Sequence, residues 1–550
     1  MLEGVVPYPP ELAARYRQKG YWEDRSLASV FDEVFSRFAD RVAVVSGAER
    51  LTYRDLAQRA ERLALHLVRL GMRPLDRMVM QLPNIPEFIA LYFALQKVGV
   101  IPVMALPPHR YLEIRHFVGL TEAVGYAIAD RAGDFSLVEL AERIRKEQPS
   151  LRVVLVHGDE VPSGFFSLRQ LLSEESGHDR EALRHIQIDP TDPAVFQLSG
   201  GTTGVPKLIP RTHNDYLYNS RQAGAMLDVR PDSVFLVVLP IAHNFPLACA
   251  GMQGFLLRGA RVVLSTSTRG PDVFPLIERE RITHLGVVPA LLIRWLNDPL
   301  LSKSDLSSVR VIQSGGQRLQ PEIKRRTEQL IPSATVQENF GMGEGLLTFV
   351  RLEDPETVRM ETVGRPMCPD DEVKLVDNEG QEVPDGEIGE LACRGPYTLR
   401  GYYQAPEHNA RAFTPDGFYL SGDLMRKHPS GNYIVEGRKK DLINRGGEKI
   451  SAEEIENLIL AHPAVQNVAC VPMPDPVLGE RTCAFIIPKP AASITLEELA
   501  RFLTEAGIAK FKLPERVELV EDFPLSPFGK VSKLTLAKRI AEMIRAETRG

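Results

Sequence analysis

Leu198-Ser199-Gly200-Gly201-Thr202-Thr203-Gly204-Val205-Pro206-Lys207 follows the apolar run Ala194-Val195-Phe196 and precedes Leu208-Ile209. Its glycines let the backbone turn back on itself, so that main-chain N–H groups approach a polyphosphate closely. Thr202, Thr203 and Lys207 add hydroxyl donors and a positive charge. The stretch reads as a phosphate cradle. It is not a Walker A loop, because that motif needs Gly before its Lys and a hydroxyl after it, and here those places hold Pro206 and Leu208. A P-loop kinase or motor is disfavoured on the same ground. Composition alone also fits a solvated Gly/Ser/Thr loop, so the rest of the chain has to decide.

At 550 residues the chain exceeds the size at which one core stops growing, which predicts two or more domains. The hydrophobic share of 44% and charged share of 25% are those of an ordinary water-soluble globular protein. A net charge of -6 gives no reason to expect nucleic acid. The cysteines, Cys249, Cys368, Cys393, Cys470 and Cys483, are few and lack CxxC spacing, which predicts a reduced compartment and no structural zinc. Met1-Leu2-Glu3-Gly4 lacks a basic region followed by an apolar core, so no signal peptide and a cytoplasmic location are expected. Residues 85–98, the most apolar helix-like segment, fall short of the roughly 20 residues that a membrane span needs. They also carry Glu87, Gln96 and Lys97, and so predict a buried helix and no membrane association.

Over residues 52–70 the apolar positions Leu56, Ala60, Leu63, Leu67 and Leu70 recur at helical steps, with Thr52 and Asp55 as a start signal and Gly71 as a stop. Short Val/Ile-rich runs at 78–80, 100–104, 153–156, 235–239 and 262–264 alternate with helix-like stretches. That alternation predicts layered α/β architecture with largely parallel sheets. Residues 282–288, halted by Pro289 before a helical run at 290–296, repeat the strand-to-helix step.

After Glu361 the texture changes. Strand-like runs at 373–376, 387–393 and 433–435 are separated by Asp/Asn/Gly turns, which reads as an antiparallel meander. Gly437-Arg438-Lys439-Lys440-Asp441 then makes a charged, glycine-bearing crossing suited to a hinge. Beyond it, 110 residues carry patterns of their own (452–461, 465–471, 483–487, 496–505), enough for a small domain. The expected division is therefore 1–440 and 441–550.

Three further stretches carry chemistry. In Gln337-Glu338-Asn339-Phe340-Gly341-Met342-Gly343-Glu344-Gly345, Phe340 is suited to lie against a purine and Glu344 to hold a hard divalent cation together with phosphate and water. In Tyr419-Leu420-Ser421-Gly422-Asp423 a carboxylate at the end of a strand is suited to accept both ribose hydroxyls, and Arg438 reaches the same place only if the chain doubles back. Pro524-Leu525-Ser526-Pro527-Phe528-Gly529-Lys530 sets Lys530 on a rigid loop. Each has a plainer reading alone: a surface turn, a turn Asp bonding its own backbone, a solvated lysine.

Together, residues 200–207, 341–344, 421–423, 437–441 and 529–530 stand in the order and approximate spacing of the adenylate-forming superfamily, and the resemblance covers essentially the whole chain. It is closest to the stand-alone aryl acid adenylating enzymes of siderophore assembly, on residues 208–216, 243–247, 340–346 and 444–449. Gly343 departs from the threonine common in the wider superfamily, as the aryl branch does with a small residue there.

The resemblance implies an α/β multidomain fold, with two layered α/β subdomains, a β-barrel and a small mobile α+β domain hinged at Asp441. It implies ATP as co-substrate, bound by Thr202, Thr203, Gly204, Lys207, Gly316, Asn339, Phe340, Asp423 and Arg438, with Mg2+ on Glu344 and Lys530 as the catalytic residue. The aryl acid would meet His243, Asn244, Phe245, Cys249, Gly343 and Leu347, and a loop with Gly447 and Lys449 would replace Lys530 for transfer to the phosphopantetheine thiol of an aryl carrier protein.

Branch members that take 2,3-dihydroxybenzoate carry Tyr and Ser where this chain has Phe245 and Cys249. A thiol is a weak partner for a 3-hydroxyl, so salicylate is the expected acid. The alternatives are a 2,3-dihydroxybenzoate-AMP ligase, an aryl-CoA ligase, and a catalytically silent nucleotide-binding regulator. The presence of Lys207, Glu344 and Lys530 speaks against the last.

Overall fold

The helix begins where its start signal stands. Thr52 Oγ1 accepts the Asp55 N–H at 3.1 Å and Asp55 Oδ2 accepts the Thr52 N–H at 2.8 Å, a reciprocal cap that opens helix Tyr53–Arg69. Gly71, at φ +82, follows its end. This computed structural model describes residues 1–159, 161–177, 181–199, 206–446, 448–506, 508–526 and 529–547. Thr202, Thr203, Gly204 and Gly447 lie outside the described residues, as do the side chains of Lys440 and Lys449.

Among the described residues two large sheets have parallel centres, as the alternation predicts. One runs in the order Arg365–Pro366, Gly345–Phe349, Thr335–Met342, Val311–Ser314, His284–Val287, Val234–Val237, Arg261–Leu264, Val42–Ser46, Glu49–Thr52. The other runs Leu208–Thr212, Pro193–Leu198, Ile101–Met104, Arg77–Gln81, Gly125–Ala129, Val153–His157, Phe166–Ser167. Strand Arg77–Gln81 shows how both faces are covered: Met78 and Met80 enter the core that holds helices Tyr53–Arg69 and Pro86–Val98, while Val79 enters the core under helices Tyr111–Thr121 and Leu137–Glu147. Helix Pro86–Val98 is the buried segment expected at 85–98. No helix among the described residues is long and apolar enough to cross a membrane, and all five cysteines are buried and free.

Strands Glu372–Val376, Ile388–Arg394, Tyr419–Lys427 and Tyr433–Arg438 form the antiparallel meander. It is the barrel element of the expected architecture, with no ladder joining its first strand to its last among the described residues. Tyr433 ties it to the first sheet by exchanging hydrogen bonds of 2.8 Å with Val363 and Gly364. Gly364 (φ +86) has no room for a side chain, since a Cβ would lie 1.8 Å from the Phe349 carbonyl carbon.

A single 3-10 turn, Lys439–Asp441, leads to the last sheet: Glu448–Ser451, Leu442–Arg445, Gly479–Pro488 and Val465–Asp475, with Arg516–Leu519 parallel to Gly479–Pro488. Helices Ala452–Leu460 and Leu496–Glu505 cover one face and helix Lys533–Glu547 the other. The two longest strands, edge strand Val465–Asp475 and its neighbour Gly479–Pro488, run past the expected 465–471 and 483–487. Their ladder continues through Pro472 and Pro474, which lack an N–H to donate and stand on the edge strand, to a hairpin closed at Asp475 and Gly479.

Candidate active site

A cleft of about 1350 Å3 lies between the meander, the C-terminal ends of the parallel strands and the last sheet. One wall begins at the loop that opened the reading. Strands Pro193–Leu198 and Leu208–Thr212 form an antiparallel pair, and Ser199 closes its mouth: its N–H donates to Lys207 O at 2.9 Å and its Oγ accepts the Lys207 N–H at 3.0 Å. Ser199 and Lys207 are therefore pinned to each other. Lys207 lines the cleft with its amine 6.0 Å from the Tyr402 ring, and His408 and Arg411 stand in the same lining. Burial first, and the charges of Lys207 and Arg411 after it, hold His408 below its ordinary pKa. The corner is electropositive, and sequence reading missed both His408 and Arg411, which lie far along the chain from the loop.

Asp423 is not at a strand end but at the centre of Tyr419–Lys427, because the ladder with Tyr433–Arg438 carries the strand four residues beyond it. That pairing makes the chain double back and sets Arg438 directly opposite. Arg438 Nε donates to Asp423 Oδ1 at 2.8 Å, and the carboxylate in turn raises the arginine's pKa. The Asp423 side chain is 4% exposed, and its Oδ2 has no hydrogen-bond partner among the described residues. An orphaned buried acceptor on a cleft wall calls for a ligand donor such as a sugar hydroxyl. Asn339 repeats the pattern, with Oδ1 unpartnered among the described residues and Nδ2 3.8 Å from Cys249 Sγ. Phe340, half-buried, lines the cleft beside it, and Gly316 (φ +87) turns the facing loop.

Glu344 stands in the turn between strands Thr335–Met342 and Gly345–Phe349, and Tyr402 OH donates to its Oε1 at 2.7 Å. Burial raises its pKa against that hydrogen bond and the charge of Arg438. A buried carboxylate in the cleft lining, held on one oxygen by Tyr402, suits a hard cation whose other ligands are phosphate and water. The preceding residue explains the departure noted in the sequence: a Cβ at Gly343 would lie 2.9 Å from Ile209 Cδ1, so a threonine would have to displace that side chain. Arg211, fully buried, donates to Gly343 O at 3.0 Å and to Asp215 Oδ1 at 2.8 Å.

His243 caps helix Asn244–Ala248, accepting the Phe245 N–H on Nδ1 at 3.2 Å. Burial pushes it far below the usual imidazole pKa, and the charge of Lys530 adds to the shift, so it is neutral at pH 7 and close enough to sense that ammonium. Asn244 Oδ1 accepts from Tyr216 OH at 2.8 Å, which itself accepts from Gln197 Nε2 at 3.1 Å. The relay leaves the Asn244 amide nitrogen for the cleft that this residue lines. Phe245, Cys249 and Leu347 are not in that lining; they stand one layer behind, Cys249 against Asn339 and Leu347 against Gly341. Burial lifts the Cys249 thiol to about 12, so it is unreactive at neutral pH.

Lys530 lines the same cleft. Its N–H donates to Ser526 Oγ at 3.1 Å, its carbonyl accepts the Ser526 N–H at 2.7 Å, and Gly529 takes φ +85 to close the turn. Asp441 is also in the lining, with Leu442 and Ser451. Lys207, Gly316, Asn339, Phe340, Glu344, Asp423, Arg438, His243, Asn244, Gly343 and Lys530 thus share one cleft. Tyr216, Tyr402 and Arg211, which hold three of them, were not among the expected site residues, although Arg211 and Tyr216 lie in the stretch 208–216 that carries the resemblance.

Residues 31–403 match the AMP-binding enzyme family and residues 454–530 the AMP-binding enzyme C-terminal domain. A Streptomyces protein described as a salicylyl-CoA synthase / salicylate adenylyltransferase is 47% identical over 99% of this chain and 98% of its own length. A Bacillus subtilis 2,3-dihydroxybenzoate-AMP ligase is 44% identical over 99% of both. Among solved structures, the apo form of MbtA from Mycobacterium smegmatis superposes with a TM-score of 0.74 at 39% identity, covering 98% of this chain and 99% of that one. With its fold, its cleft and these matches in agreement, the chain belongs to the AMP-binding enzyme family.

Proposed function

We propose that this enzyme activates an aromatic carboxylic acid, salicylate first, by joining it to the AMP part of ATP, and then passes the aryl group to a phosphopantetheine thiol. The observation that carries the reading is that Lys530, the electropositive Lys207 corner, the Asp423–Arg438 pair and the His243–Asn244 wall line one cleft. The names of the Streptomyces and Bacillus relatives support a 2-hydroxybenzoate as the acid.

The acid is already ionised at neutral pH, so one carboxylate oxygen attacks the α-phosphorus, the new P–O bond forms, and pyrophosphate leaves in line with its electron pair. No general base is needed. The barrier is the meeting of two anions, and it falls through positioning and through positive charge aimed at the meeting point. Lys530 supplies that charge between the acid and the nucleotide. Asp423 Oδ2 and Asn339 Oδ1 accept from the nucleoside, the loop at 200–207 holds the leaving phosphates, and neutral His243 and the Asn244 amide orient the acid. Glu344 would hold Mg2+, which supplies charge neutralisation on the phosphates. The closed cleft keeps water from the mixed anhydride. The parts before and after residues 440/441 act as separate domains hinged at Asp441, and the hairpin with Gly447 and Lys449 takes the place of Lys530 when the thiol arm enters. The acceptor is an aryl carrier protein in siderophore assembly.

ATP–pyrophosphate exchange with salicylate, 2,3-dihydroxybenzoate, benzoate and a fatty acid tests the reading. Salicylate is expected to be fastest, and a faster fatty acid would overturn it. Cys249→Ser replaces the thiol that Asn339 leans on with a firmer hydrogen-bonding group. It is expected to raise the kcat/KM ratio of 2,3-dihydroxybenzoate to salicylate by about fivefold, the worth of roughly 1 kcal/mol. An unchanged ratio detaches Cys249 from specificity. Coenzyme A is the competing acceptor, favoured by the name of the Streptomyces relative. Its consumption in the absence of any carrier protein would establish that second reading.

A further inference from the structure

We propose that Lys533 is the positioning residue for Lys530, holding the catalytic loop in register with the last sheet through a buried ion pair with Glu456. The proposal rests on the reading of Lys530 as the charge that serves adenylation. Lys533 Nζ lies 2.7 Å from Glu456 Oε1, with the two side chains 22% and 10% exposed. The same Glu456 oxygen accepts the Cys470 N–H of strand Val465–Asp475 at 2.6 Å. Two residues separate Lys533 from Lys530, whose own N–H and carbonyl are both fastened to Ser526, and a bridge joins Leu525 to Val531. The loop is therefore clipped at its mouth and tied to the sheet by the packing of Val531 and, farther out, by this ion pair.

Helix formation does not account for that lysine. It is the first residue of helix Lys533–Glu547, where the helix dipole opposes a cation. Ser532 Oγ already accepts the Thr535 N–H, and Leu536 and Ile540 dock the helix on the sheet by burial. A buried ion pair contributes little net stability but fixes register, because any displacement leaves a charge uncompensated. Burial raises the Glu456 carboxyl and the facing ammonium opposes that shift, while Glu453, raised to about 8 by burial, feels the charges of Lys533 and Arg318 against it. The ammonium belongs to a charged cluster that borders the cleft, three residues from the catalytic Lys530.

Displacement of a reacting group by about 1 Å costs on the order of a hundredfold in rate. Lys533→Met is accordingly expected to lower kcat for ATP–salicylate pyrophosphate exchange about tenfold to a hundredfold, with both KM values within about twofold of wild type. Thiolysis of supplied salicyl-adenylate by pantetheine, in which Lys530 takes no part, is expected to stay within about twofold, and Lys533→Arg to restore most of the exchange. Glu456→Gln keeps the acceptor for Cys470 and removes the charge, so it decides the matter if Lys533→Met does not fold. Unchanged exchange in the folded variants overturns the proposal, and so does a parallel fall of exchange and thiolysis, the mark of a merely structural role. A Lys530→Ala enzyme with normal exchange would instead remove the reading beneath it.

Discussion

Replacing Lys530 by alanine is expected to lower ATP–pyrophosphate exchange by about two to three orders of magnitude, the scale of losing one preorganised transition-state charge contact, while ATP affinity changes only a fewfold. The asymmetry follows from the geometry. On the proposed reading the nucleoside has its own partners in Asp423, Arg438 and Asn339, and the phosphates have the corner of Lys207, His408 and Arg411, which line the cleft from the part of the chain before Lys440. Lys530 arrives from the other side, on a loop fastened at Ser526, and its charge is felt by His243. Its contribution is thus concentrated where the acid anion meets phosphorus, which is a transition-state interaction. Stopped exchange measured beside equilibrium ATP binding separates the two, and near-normal exchange contradicts the role given to Lys530.

Asp441→Pro carries the second large effect. Residue 441 closes the 3-10 turn that joins the meander to the last sheet, and proline fixes φ near −65°, within the range of such a turn. The arrangement with Lys530 in the cleft is therefore expected to survive, at some loss because proline disfavours the helical region for Lys440. A rotation that must change the backbone at residue 441 is blocked. Exchange is expected to fall by no more than about tenfold, while transfer of the aryl group from its adenylate to the thiol acceptor falls by about a hundredfold or more. Both half-reactions at wild-type rates would discard the hinge.

Much of the architecture was legible because its signals are local. The Thr52–Asp55 cap, the helix at 86–98 with Gly99 after it, and the Pro289 step between strand and helix each depend on residues within a few positions of one another. The loop at 198–207, the Glu344 turn and the Lys530 loop could be singled out as candidates for chemistry for the same reason. Strand ends were read less well. Asp423 was expected at a terminus and stands mid-strand, and the ladder through Pro472 and Pro474 ran on past residues whose own preferences argue for stopping, because cross-strand partners supplied what the local chain did not.

By itself the sequence determined which residue types were available, their order along the chain, and the short elements that carry them, since caps, turns and periodicity are set by neighbours in the chain. Only the tertiary structure decided that Arg438 would lie opposite Asp423, that Tyr402 would hold Glu344, that Tyr216 would orient Asn244, and that Cys249 would stand behind Asn339 and not in the cleft wall. Apart from the Asp423–Arg438 hairpin, those contacts join residues from 28 to 90 positions apart. Their geometry follows from how sheets and helices bury one another's faces, which no local stretch of chain encodes.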